Sequence, residues 1–138
     1  MPSSALSILA LLFFALQSQQ STPPAATPTL NVIPPEAARM VNPIKPTRES
    51  QAHAKSQYNM DCAMCHGANG DGKGDPGIIS DMSLTMMDFT NPGTLKNRTD
   101  GELFYIIKNG QGKMPGEDRT KTGEIWNLVD YLRSFSKK

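Results

Sequence analysis

The segment Cys62-Ala63-Met64-Cys65-His66 decides the fold, because it holds both cysteines of the chain and one of its two histidines. Its order is C-x-x-C-H, the signature of c-type haem attachment. On a helix, residues three and four positions apart share one face, so both thiols and the imidazole point the same way. The thiols can form thioethers with the two vinyl groups of one porphyrin edge, while His66 reaches the iron. The segment therefore predicts one covalently attached haem c per chain, on Cys62 and Cys65.

Three other uses of the two cysteines fit less well. A disulfide between Cys62 and Cys65 would close a very short loop and add little stability to the fold. A thioredoxin-like redox pair belongs in a βαβ pattern, which this glycine-rich, strand-poor sequence does not show. A structural zinc ion needs about four ligands, and outside the motif the chain offers only His53 and no further cysteine.

A second axial ligand is expected far downstream, on the opposite face of the porphyrin. Among the eight methionines, Met114 lies in the loop NGQGKMPG at 109–116, where glycines allow close approach and Pro115 stiffens the chain. A thioether binds iron without deprotonation, and His/Met ligation is known in cytochromes. We therefore predict His66 and Met114 as the axial iron ligands. The alternatives are an open iron site or a ligand among three methionines better suited to packing around the ring edge, namely Met82, Met86 and Met87.

The first 46 residues differ in composition from the rest. The apolar run from Ala5 to Leu16 has the length of a signal-peptide core and is shorter than the roughly 20 residues of a membrane-spanning helix. We interpret residues 1–21 as a signal peptide or N-terminal anchor, which implies a periplasmic or other extracytoplasmic location. Residues 22–46 are predicted to be a proline-rich linker, and some of its apolar side chains are expected to dock on the domain, out of Val32, Ile33, Met40, Val41 and Ile44.

Residues 47–138 are enough for one small domain. Lys and Arg balance Asp and Glu there, at twelve each, so we expect no nucleic acid partner. Hydrophobic spacing and capping residues predict three helices, at 48–65, 101–109 and 123–135. Thr47, Thr99 and Thr122 are the expected residues before these helices. Trp126 is expected to pack in the core.

From about Ala54 to Phe135 the sequence resembles the small monohaem class I cytochromes c of bacteria. Besides the haem motif, a small residue and an aromatic are typical of that family upstream of the first cysteine. Ala54 and Tyr58 stand eight and four residues before Cys62, although Ala54 replaces the usual glycine. The methionine loop of the family is similar to residues 113–115.

The resemblance implies an all-α class I cytochrome c fold, with about three to four short helices and long loops around one haem. The C-terminal segment 128–133 resembles the family's last helix, which carries an aromatic and crosses the first helix. The resemblance further implies that a proline carbonyl orients the proximal histidine, and Pro76 is the nearest candidate for this role toward His66.

With both axial positions filled, the iron has no vacancy for a substrate. The protein is therefore expected to be a one-electron carrier rather than an enzyme. It is expected to exchange electrons with redox proteins of respiratory or dehydrogenase systems. A sulfur ligand raises the reduction potential relative to two imidazoles. Two alternatives stay open: a tethered cytochrome c subunit of a larger membrane respiratory complex, and a haem enzyme or gas sensor if Met114 leaves the iron open.

Overall fold

The computed structural model describes residues 32–137, in which every extended regular element is a helix. This confirms the all-α fold class. The described part contains six helices, more than the three or four expected: α1 Pro35–Ala38, α2 Arg48–Asp61, α3 Ala63–His66, α4 Pro76–Asp81, α5 Asp100–Asn109 and α6 Thr122–Phe135. Two of the additional helices, α1 and α4, are short, with four and six residues.

No helix within residues 32–137 combines the length and apolar character needed to cross a bilayer. The predicted signal peptide or anchor at 1–21 and the first part of the predicted linker lie outside the described residues.

The first predicted helix, 48–65, consists of two helices in the structure. Thr47 is its N-cap as predicted, since the Thr47 hydroxyl accepts from the Ser50 N–H and the Ser50 hydroxyl accepts from the Thr47 N–H. At Cys62 the backbone departs from ideal helix geometry, with φ −116° and ψ −37°, and α3 begins one residue later.

The two later helices lie close to where they were predicted. Thr99 and Glu102 form the capping box expected at the start of α5. In α6, Thr122 is the first helical residue and Lys121 precedes it without a capping side chain, so the predicted position of Thr122 before the helix is wrong by one residue.

The core lies where α2 packs against α6. Ala54 is completely buried there, and the Tyr58 ring contacts Tyr131 and Phe135 with ring centroids 5.4 Å and 5.1 Å away. Trp126 is buried and stacks on Phe104 at 4.3 Å, which confirms its packing role. The helix crossing places the end of α2, and with it the haem motif, next to the C-terminal helix.

Residues 34–44 form an N-terminal strap that lies on α5 and α6. Ala37 is 1% exposed, and a Cβ added to Gly101 would lie 1.9 Å from the Ala37 carbonyl oxygen. The Asn42 amide donates to the Asp130 carboxylate at 3.0 Å. Ile44 packs against the core. The folded body therefore begins before residue 47, inside the segment whose composition predicts a linker.

Candidate haem site

The haem motif lies at the junction of α2 and α3. The His66 N–H donates to the Cys62 carbonyl at 2.9 Å, so one helical turn separates the first cysteine from the histidine. Both cysteines are free thiols and half-buried. One turn of helix thus carries the three side chains predicted to hold the cofactor, and no disulfide consumes the thiols.

The Cys62 thiol is weakly acidic. Its pKa is raised to about 12, mainly by burial and secondarily by the negative charges of Glu117 and Asp61. The thiol is therefore protonated at neutral pH. A thioredoxin-like pair needs an attacking cysteine of lowered pKa, so this environment disfavours that alternative.

The His66 imidazole is half-buried. It stacks on Phe89 with ring centroids 5.0 Å apart and an interplanar angle of 24°. Burial lowers its pKa, which keeps the ring neutral at pH 7 and able to ligate a metal through nitrogen. The His66 Nδ1 is buried and has no hydrogen-bond partner among the described residues, so no bond joins it to the Pro76 carbonyl.

The glycine-rich loop after the motif folds back tightly on it. A Cβ at Gly74 would lie 2.2 Å from the Met64 carbonyl oxygen, so only glycine allows this approach. The Asp75 N–H donates to the same carbonyl at 2.7 Å. Pro76 is the first residue of α4, and the Asp75 side chain caps that helix. The loop therefore fixes where α4 begins relative to the motif.

Two residues that support the motif were not recognised as such from the sequence. Phe89 lies over His66 because its N–H donates to the Gly70 carbonyl at 2.7 Å. The Tyr58 hydroxyl donates to the Gly67 carbonyl at 2.8 Å and so links α2 to the residue after His66. Tyr58 had a signal in its position before Cys62, whereas Phe89 had none, since it lies in an irregular segment.

The Met114 loop forms a tight turn. The Gln111 and Met114 backbones exchange two hydrogen bonds of 3.0 Å, and Gly112 has φ +60°, as expected for a turn with glycine at its first central position. The Glu117 N–H donates to the Ile107 carbonyl at 2.8 Å and holds the loop against the end of α5. Met114 is half-buried at the end of this turn.

The other methionines lie elsewhere on the domain. Met60 and Met64, next to the cysteines, are 67% and 56% exposed. Met82 and Met87 belong to the segment after α4 and are about half exposed. Met86 and Met87 lie near Gly72, where an added Cβ would be 3.3 Å from the Met86 Cβ.

These residues fit a haem c. The donor set consists of two free thiols and a neutral imidazole on one turn, with a methionine in a separate glycine-rich loop. A small all-α domain with this motif is a c-type cytochrome domain.

The family model described as "Cytochrome C oxidase, cbb3-type, subunit III" matches residues 49–132, more than half of the 138-residue chain. The chain belongs to this family of c-type cytochrome domains. It therefore carries covalently bound haem c and takes part in electron transfer. Comparison with curated proteins finds no match. The N-terminal strap lies outside the matched residues.

Proposed function

We propose that this protein is an extracytoplasmic one-electron carrier whose haem is attached to Cys62 and Cys65 and ligated by His66 and Met114. The observation that carries the proposal is the single helical turn on which both thiols and a neutral, half-buried imidazole stand together. The bound haem supplies the one-electron change. The chain would attach it through Cys62 and Cys65, orient His66 against Phe89 and restrict Met114 to a tight turn.

Two contacts support a rigid site around His66. Phe89 stacks on the imidazole, and the Tyr58 hydroxyl bonds the adjacent backbone. A ligand held in one orientation changes little when the iron changes charge, so the reorganisation that accompanies electron transfer is small. Electron transfer requires no nucleophile or general base beside His66.

Absorption spectra of the purified protein in both oxidation states, together with its intact mass, test the attachment. We expect the mass of one covalently added haem and low-spin spectra in both states. Cys62→Ser with Cys65→Ser is expected to remove the covalent haem. A native protein whose mass equals that of the polypeptide alone would refute the proposal.

Carbon monoxide binding to the reduced protein tests Met114. We expect the native protein to bind it poorly and Met114→Ala to bind it readily, because the substitution opens the sixth position. Met87→Ala is the matched control, since Met87 is a methionine of the segment after α4. If Met87→Ala opens the iron and Met114→Ala does not, the axial ligand is assigned to the wrong loop. Ready binding by the native protein would favour the open-site alternative, a haem enzyme or gas sensor.

A second candidate is a subunit tethered within a membrane respiratory complex. The matched family is described as a subunit of an oxidase, and the N-terminal apolar run could serve as an anchor. Only residues 17–33 separate that run from the strap, which limits the domain to at most about 60 Å from an anchor. Fractionation distinguishes the two candidates: a tethered subunit sediments with membranes and co-purifies with an oxidase, whereas a free carrier stays in the soluble extracytoplasmic fraction.

A further inference from the structure

We propose that Lys113 is a positioning residue for Met114, because its ammonium group connects the methionine turn to the end of α4. The inference rests on the proposed ligation of iron by Met114 and adds a residue that keeps this ligand in place. The Lys113 Nζ donates to the Met82 carbonyl at 2.5 Å and to the Ser83 carbonyl at 3.4 Å. These contacts join two loops that lie 30 residues apart in the sequence.

The acceptors are carbonyl groups at a helix C-terminus. The Ser83 N–H donates to the Ser80 carbonyl and the Leu84 N–H to the Ile79 carbonyl, which is the hydrogen-bond pattern of a Schellman motif. Ser83 has φ +49°, the left-handed conformation that this motif places after a helix. The Met82 and Ser83 carbonyls thus lie at the negative end of α4, where a cation is favoured. Lys113 supplies that cation.

The lysine is adjacent to Met114 in the turn. Two backbone hydrogen bonds close residues 111–114, so a restraint on Lys113 also restrains its neighbour. Just after the turn, the Glu117 N–H donates to the Ile107 carbonyl and holds the chain on one side, at the end of α5. Lys113 holds it on the other side, against α4. A variant without the Lys113 ammonium should keep the backbone hydrogen bonds of the turn and lose the two bonds to the carbonyls at the end of α4.

Imidazole binding to the oxidised haem protein tests the proposal, since imidazole enters only when the methionine leaves. We expect Lys113→Gln to raise the affinity for imidazole about fivefold, the change expected for the loss of one exposed hydrogen bond from a charged donor. Lys113→Arg keeps a cationic donor and should stay within about twofold of the native protein. Lys121→Gln is the matched control, because it removes the same charge from another exposed lysine, which lies at the start of α6.

A second variant acts on the acceptors. Ser83→Pro cannot adopt φ +49° and therefore displaces the end of α4 while leaving Lys113 intact. It should raise imidazole affinity in the same direction as Lys113→Gln. Haem content and far-UV circular dichroism are recorded for every variant.

The possible outcomes separate the two proposals. A rise in Lys113→Gln and Ser83→Pro, absent in Lys121→Gln, supports the positioning role. Equal affinities in Lys113→Gln and Lys121→Gln overturn it, provided that Met114→Ala binds imidazole much more tightly than the native protein. If Met114→Ala binds imidazole no more tightly than the native protein, the proposed ligation fails, and the role of Lys113 fails with it.

Discussion

Replacing Gly101 by alanine tests whether the N-terminal strap is packed on α5. A new Cβ would lie 1.9 Å from the Ala37 carbonyl oxygen and 2.7 Å from the Met40 Cβ. The closest atom belongs to the backbone, so no side-chain rotation relieves the clash, and the strap has to shift by more than an ångström. Overpacking of this kind costs about 1–3 kcal/mol.

The same substitution has an opposing effect on the helix. Alanine favours helix over glycine by about 0.5–1 kcal/mol, so Gly101→Ala would stabilise the protein if nothing lay against α5. With the strap in place, we expect a net loss of about 1–2 kcal/mol in the free energy of unfolding. For a domain of this size that lowers Tm by about 5–15 °C.

Gly123→Ala is a closely matched control. Gly101 and Gly123 are both the second residue of their helices, and both face the strap. At Gly123 the nearest atom is the Ile44 Cδ1, 3.2 Å from the added Cβ, and a side-chain end can move aside. We expect Gly123→Ala to be neutral or stabilising by up to about 1 kcal/mol. The two haem-containing variants are compared by thermal unfolding followed by far-UV circular dichroism. A Gly101→Ala protein at least as stable as the native one would refute the packing of the strap.

Three further predictions concern ionisation and the cofactor. Burial raises the pKa of Tyr58, so the folded protein keeps a proton that the unfolded chain loses above about pH 10. Above that pH the free energy of unfolding should fall by up to about 1.4 kcal/mol per pH unit. Urea unfolding of Tyr58→Phe should lack this component. The pKa of Asp130 is raised mainly by burial, so its contribution to stability is present at low pH and is lost as pH rises through the folded pKa. Asn42→Asp, which adds a second negative charge beside Asp130, should cost about 1–2 kcal/mol at pH 7 and less near about pH 4 in urea unfolding, whereas Asn42→Ala should lose stability with little added pH dependence. The Cys62→Ser, Cys65→Ser protein should lose most of its helical circular dichroism, because the small core lacks the apolar centre that haem supplies, and a native-like spectrum would contradict this.

The parts of the fold that local sequence determines were predictable. The capping box of Thr99 and Glu102 lies within one turn, and both the start and the end of α5 follow from nearby residues. The position of the strap depends instead on a residue far away, since Gly101 provides the space for Ala37. Proline-rich composition predicts an extended linker. It carries no information about the distant helix surface on which the strap packs, so the packing could not be predicted from it.

The same distinction applies to the two parts of the proposed haem site, the histidine side and the methionine side. On the histidine side, the residues proposed to hold the haem lie within five positions, so the local spacing of Cys62, Cys65 and His66 is enough to predict them. On the methionine side, the turn is local but its attachment to the rest of the domain is not, because Lys113 contacts carbonyls 30 residues earlier. If Met114 is the axial ligand, as proposed, substitutions at the end of α4 should loosen it and leave the covalent attachment at Cys62 and Cys65 unchanged.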